Sequence, residues 1–172
     1  MREALIARRP LGTREGEALR AFGRTTVVRI TEQPLEPAFE LQFDAGDKTT
    51  AAALAGATNL DLTAANRAVT AGATTALWLG PGNWLIKPGA NSAAALAALE
   101  RAVAATQSSL VDVSDLWFGV TVEGNRSRDL LAQGCALDLD PRVFAPGASA
   151  VTQLARLRSL IHHVAGSPVY HV

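Results

Sequence analysis

The sequence predicts an α+β fold: a mostly antiparallel sheet with helices on one side. Three observations predict it. Phe39, Leu41 and Phe43 alternate with Glu40 and Gln42, and Phe118, Val120 and Val122 alternate with Gly119, Thr121 and Glu123. That is the period-two pattern of half-buried strands. Two apolar runs, Ala76-Leu77-Trp78-Leu79 and Trp84-Leu85-Ile86, flank Gly80-Pro81-Gly82-Asn83, a turn sequence that folds consecutive strands back on each other. Helical and strand-like segments do not alternate regularly, which removes a doubly wound parallel sheet.

Taken in order, residues 1–25 are rich in Arg, Glu and Gly and lack an apolar period. They read as an extended N-terminal arm, either a disordered tail or a partner-binding segment. Residues 26–172 read as a single α+β domain. Val27–Ile30 is a short strand and Phe39–Phe43 a second. Asp47 is placed to cap an Ala-rich helix through Leu54. Residues 59–73 carry little pattern and read as irregular. The tryptophan hairpin follows and ends at Lys87-Pro88-Gly89. Ser92 is an N-cap for a helix to about Ala105, with Leu96, Leu99 and Val103 on one face. Leu110–Val113 and Phe118–Val122 are strands. Gly124-Asn125 turns into a helix from Arg126 to Gln133, with Gly134 where a C-terminal glycine belongs. After a proline-rich loop, Ala150–Ala155, Leu157–Val164 and Val169–Val172 close the chain as strands. Trp78 and Leu79 are adjacent and must face opposite ways, as must Trp117 and Phe118. A single sheet buries both faces only if its own helices or another chain cover the second.

Composition narrows the function. The 172 residues suit one core. With 48% hydrophobic and 19% charged residues, the chain is globular rather than disordered. Sixteen basic residues balance sixteen acidic ones, which argues against nucleic acid or an acidic membrane surface as partner. A neutral surface also does little to keep copies apart, as suits a chain that works bound to others. Only Lys48 and Lys87 are lysines and the other fourteen basic residues are arginines. Arginine suits interface ion pairs because its planar fork takes carboxylates bidentately, although a compositional bias toward Arg and Ala explains the excess equally well. The single cysteine, Cys135, removes a disulfide framework and a multi-cysteine zinc site. The start of the chain lacks a secretory core and no run is long enough to span a bilayer. A cytoplasmic protein is expected.

Candidate chemistry is sparse. Gly80-Pro81-Gly82 resembles the opening of a phosphate loop, but Trp84-Leu85-Ile86 follows where a helix would have to start. His162 and His163 are neighbours on a strand, so they point to opposite faces and cannot share an ion; the expectation is one histidine against the core and one on the surface. Asp112 and Asp115 could form an acid–base pair, or one could cap a turn. Cys135 could be a nucleophile if a histidine met it in space, or a small buried side chain after a helix. No catalytic, cofactor-binding or metal-binding residue is assigned.

A resemblance rests on further residues. Val111-Asp112-Val113-Ser114-Asp115, Gly124, Arg128-Asp129-Leu130-Leu131, Gly134-Cys135-Ala136-Leu137-Asp138-Leu139, Pro141-Arg142, Phe144, Pro146-Gly147 and Thr152 resemble the gamma subunit of heterotetrameric sarcosine oxidase. Ala76 to Leu85 is similar to that family's tryptophan hairpin. The resemblance implies a fold like the folate-binding domain of the glycine-cleavage T-protein. It also implies a non-catalytic, structural role in an αβγδ complex that oxidatively demethylates sarcosine or a related N-methyl amine. The partners implied are the alpha, beta and delta subunits, with beta and alpha in direct contact. FAD and FMN are then carried chiefly by beta, NAD and a tetrahydrofolate-using region by alpha, and zinc by delta.

Two alternatives share the fold. A stand-alone folate-binding, aminomethyltransferase-type protein would need a buried carboxylate for the pterin ring, from Asp112 or Asp115. A transient assembly factor would need none. The loop from Gly134 to Ser149, with Phe144 and its prolines, is a candidate subunit contact, or else an ordinary packed connection. Ending at Tyr170-His171-Val172, without the family's usual terminal helix, the chain is expected to leave an apolar sheet face for a partner.

Overall fold

The computed structural model describes residues 28–89, 93–164 and 168–172. The expected arm lies outside them, as do Val27 and the expected cap Ser92. Among the described residues the elements run β1 (Arg29–Glu32), β2 (Phe39–Phe43), α1 (Lys48–Thr58), β3 (Ala68–Ala71), β4 (Thr74–Gly80), β5 (Asn83–Pro88), α2 (Ala93–Ala104), β6 (Ser108–Asp112), β7 (Val120–Glu123), α3 (Ser127–Ala132), β8 (Ser149–Leu154), β9 (Leu157–Val164) and β10 (Val169–His171).

The α+β class and the antiparallel pairing follow the expectation, but there are two five-stranded sheets rather than one. The first has the order β3-β4-β5-β2-β6 and the second β1-β7-β10-β9-β8. Every strand pair is antiparallel. The sheets stack face to face, and helices lie on both outer sides. On the first sheet, Leu41, Ala76, Trp84 and Ile86 pack with Leu54 of α1 and Leu99 of α2. On the second, Val122, Ile161 and Tyr170 pack with Leu131 of α3 and with Leu139 and Phe144 of the following loop. Between the sheets, Leu77, Leu79 and Leu85 meet Leu160, with Val151 and Trp117 alongside.

This sandwich answers the question set by the adjacent apolar residues. Trp78 faces the helix side, and Leu79 faces the other sheet. The second face is therefore covered by the same chain, and the outer face of the second sheet by α3 and its loop, rather than left for a partner.

The hairpin forms as its sequence dictates. Trp78 lies opposite Trp84, and Gly80 pairs with Asn83 across Pro81-Gly82. Gly82 has φ +63, the left-handed position that a Pro-Gly turn requires. A Cβ there would lie 2.0 Å from the Phe43 carbonyl oxygen. That closeness serves the pairing, because the Phe43 N–H donates to the Gly82 carbonyl at 2.9 Å.

Asp47 caps α1 as expected, accepting from the Thr49 and Thr50 amides at 2.9 and 3.1 Å and from the Thr50 hydroxyl at 2.6 Å. The helix runs four residues past Leu54 and ends where Asn59 takes φ 57. Gly134 directly follows the Gln133 cap of α3, where it was expected, but without a positive φ; its N–H bonds to the Leu131 carbonyl at 3.0 Å. The unforeseen element is β3, in the stretch read as irregular. Alanine has little strand preference, so Ala68-Val69-Thr70-Ala71 gives no signal of its own. It is made a strand by pairing with β4 through a two-residue turn at Gly72, φ +58.

Candidate functional site

The chain passes between the sheets twice at one end, through residues 33–38 from β1 to β2 and through residues 113–119 from β6 to β7. Two backbone bonds tie these crossings together: Gln33 N–H to the Gly119 carbonyl and Val113 N–H to the Ala38 carbonyl, both 2.8 Å. They frame a cleft that is partly open to solvent. Its floor is Leu77, Leu85 and Leu160, and its rim includes Leu35, Trp117 and Phe118.

Polar groups converge in it from both sheets. Lys87 of β5 is ion-paired with Glu36, Nζ to Oε2 at 3.3 Å. Lys87 Nζ also donates to Gln33 Oε1 at 3.5 Å, and Gln33 Nε2 donates to Thr121 Oγ1 at 3.4 Å. Gly119 makes room for that amide, since a Cβ on it would stand 2.6 Å from Gln33 Oε1. From the second sheet come His162 and His171, directly opposite in register, their rings edge to face with centroids 5.8 Å apart.

Burial, reinforced by the neighbouring His171, His163 and Lys87, pushes the His162 imidazole down to about 4. Burial and then Lys87 also lower His171, which Glu36 partly opposes. Both rings are therefore neutral at pH 7. Among the described residues neither has a hydrogen bond to its ring nitrogens; the imidazole bond there belongs to His163.

The other candidates are placed as follows. His163 does face away from His162. It is 5% exposed, its Nδ1–H donates to the Phe144 carbonyl at 2.7 Å, and its ring stacks on Tyr170 at 4.7 Å. It is the expected core histidine, whereas His162 lies in the cleft rather than on the surface. Asp112 and Asp115 are not a buried pair. Both are exposed, and Asp112 accepts from the Ser114 hydroxyl at 2.6 Å and the Ser114 amide at 3.0 Å, which holds its carboxyl below the usual range. That is turn capping, and neither aspartate supplies the buried carboxylate that the folate-binding alternative asked of them.

Cys135 Sγ accepts from the Leu137 N–H at 3.3 Å, and its residue bridges to Leu154; no histidine meets it among the described contacts. Gly80-Pro81-Gly82 is a hairpin turn and not a phosphate loop. In the loop from Gly134 to Ser149, Phe144 is buried against His163 rather than presented outward, while Val143 is 67% exposed.

The His162–His171 pairing was missed because it needs the β9–β10 register. The signal was two histidine-bearing apolar runs close together at the C-terminus. Glu32 was missed as well: its carboxylate is 4% exposed, and neither oxygen has a hydrogen-bond partner. Among the described residues, no group of three or more His, Cys, Asp or Glu side chains is gathered to hold a metal ion, and no helix is long and apolar enough to cross a membrane.

Comparison with known proteins adds the family. The model of the sarcosine oxidase, gamma subunit family matches residues 42–171. Among solved structures, the chain is similar to one in heterotetrameric sarcosine oxidase from Corynebacterium sp. U-96 in complex with pyrrole 2-carboxylate. The TM-score is 0.80 and the identity 26%, covering 96% of this chain and 85% of that one. Nothing among the curated proteins matches.

Proposed function

Because the chain belongs to the sarcosine oxidase gamma subunit family, we propose that it is the gamma chain of a heterotetrameric sarcosine-oxidase-type complex, in which it supplies shape rather than reactive groups. The observation that carries this reading is the joint match: a family model over residues 42–171 and a likeness to a heterotetrameric enzyme over 96% of the chain. The residues that resemble the family support the structural part. Asp112 and Ser114 close a turn, and Leu131, Leu139 and Phe144 fill a core. Each holds the backbone in place.

In this reading the substrate is sarcosine or a related N-methyl amine, and the partners are alpha, beta and delta, with beta and alpha in direct contact. FAD and FMN belong chiefly to beta, NAD and the tetrahydrofolate region to alpha, and zinc to delta. The complex is cytoplasmic.

The test is to co-express the remaining subunits with and without this chain. Without it, the assembled species, its flavin content and its sarcosine turnover are each expected to fall. If all three are unchanged, the structural role is wrong. Co-purification in a fixed one-to-one ratio distinguishes a permanent subunit from a transient assembly factor.

A further inference from the structure

We propose that the cleft between the two sheets is a binding site for a small, uncharged, planar heteroaromatic compound, hydrogen-bonded by His162 and His171 and covered by the Trp117–Phe118 rim. The inference stands on the cleft itself and does not depend on the subunit reading.

Shape comes first. Two sheets packed face to face are about 10 Å apart between backbones. Side chains from both narrow the remaining space to a slot, and a flat molecule fills a slot best. The cleft is lined from both sheets and from both crossings, and its open part makes it accessible. Floor and rim are apolar, and Leu35 and Phe118 are 46% and 36% exposed at the mouth, so a ring lying between them would cover surface that water now touches.

Charge decides the next point. Lys87 is neutralised by Glu36 at 3.3 Å, and both imidazoles are neutral at pH 7 by the burial already described. An ionic ligand would be desolvated with no unpaired charge to meet it.

Hydrogen bonding fixes the class. A neutral imidazole offers one donor and one acceptor. Two of them, directly opposite across β9 and β10 and unused among the described residues, favour a ring whose edge carries both kinds of group. A plain hydrocarbon would leave them unpaired, at a cost. The Gln33 amide, held by Thr121 and Lys87 and given room by Gly119, adds a third polar contact.

The experiment uses the full-length chain and the assembled complex. Adenine, nicotinamide and indole are the uncharged planar probes, and benzoate and benzylamine the charged ones. In the free chain, binding is read from the side-chain nitrogen shifts of His162 and His171. At least one uncharged probe is expected to move both imidazoles saturably, with benzoate and benzylamine at least about tenfold weaker, a gap of about 1.4 kcal/mol. His171→Leu is expected to weaken that probe by at least a similar factor. Trp117→Leu, at the accessible rim, serves as the second variant should the first fail to fold.

The proposal is overturned if no uncharged probe shifts the imidazoles, if the charged probes bind as well, or if the folded variants bind unchanged. In the complex, equilibrium dialysis of the best probe is compared with the complex carrying a folded variant. A variant-sensitive fraction supports the site. Its absence means that another subunit fills the cleft, and overturns it too.

Discussion

His162 shows how much a single position depends on its surroundings. In sequence it is one of two adjacent histidines. In the fold it sits on the inter-sheet face beside His171 and near Lys87, and its imidazole is held down at about 4. The sign of the consequence follows from the ordinary value of 6.5. Between pH 6.5 and about 4 the unfolded chain takes up a proton at this position that the folded chain refuses. Stability from the neutral ring is complete above pH 6.5 and is lost as the pH falls to about 4, a change of about 3 kcal/mol. A His162→Gln variant should therefore lose less stability than the parent over that window. Urea midpoints at pH 7 and pH 4.5 measure it; equal losses in the two proteins would mean that the ring is not held neutral. The pairing of His162 and His163 with opposite faces was legible from period-two geometry. The neutrality of His162 was not, because it depends on residues brought in from β5 and β10.

Among the elements, the β4–β5 hairpin was the most legible and is the most constrained. Its apolar runs and Pro-Gly turn follow from local chemistry. The contact that makes Gly82 indispensable comes from β2, some forty residues earlier. Gly82→Ala should lower stability by more than about 2 kcal/mol, combining a disfavoured positive φ with a clash against the Phe43 carbonyl. Gly56→Ala, whose added Cβ meets nothing within 4 Å on the helix α1, is the control and should be neutral or stabilising. Thermal melts of both check this; a benign Gly82→Ala would show that the turn relaxes freely. β3 was illegible for the opposite reason: its residues are poor strand formers, and only pairing with β4 makes them a strand. Asp47 and Asn59, by contrast, set the two ends of α1 from their own side chain and backbone, although only the first was recognised in the sequence.

For the whole molecule, the antiparallel α+β class could be read, but the division into two sheets could not. Consecutive strands usually pair, and here β1 and β2 part at once, one to each sheet. Nothing in residues 33–38 announces that they cross from one layer to another. The sequence did carry a trace of the outcome: strands such as β4 and β5 are apolar on both faces, which demands two covers. Those covers turn out to be helices on one side and a second sheet on the other. The same arrangement explains why site residues were hard to find. The cleft is assembled from residues 33 to 172, with polar groups from β5, β9, β10 and the first crossing and aromatic ones from the second, so no short motif describes it.

The two crossings also run as a pair, each held to the other at both ends. Gln33 and Val113 each donate their amide proton to the opposite crossing; the first bond extends the β1–β7 pairing and the second the β2–β6 pairing, so each sheet stays stitched up to the point where the chain leaves it. These two protons should exchange with heavy water together, and no sooner than those of the central strands β5 and β10. Early, independent exchange would mean that each sheet frays at that margin while its centre stays paired.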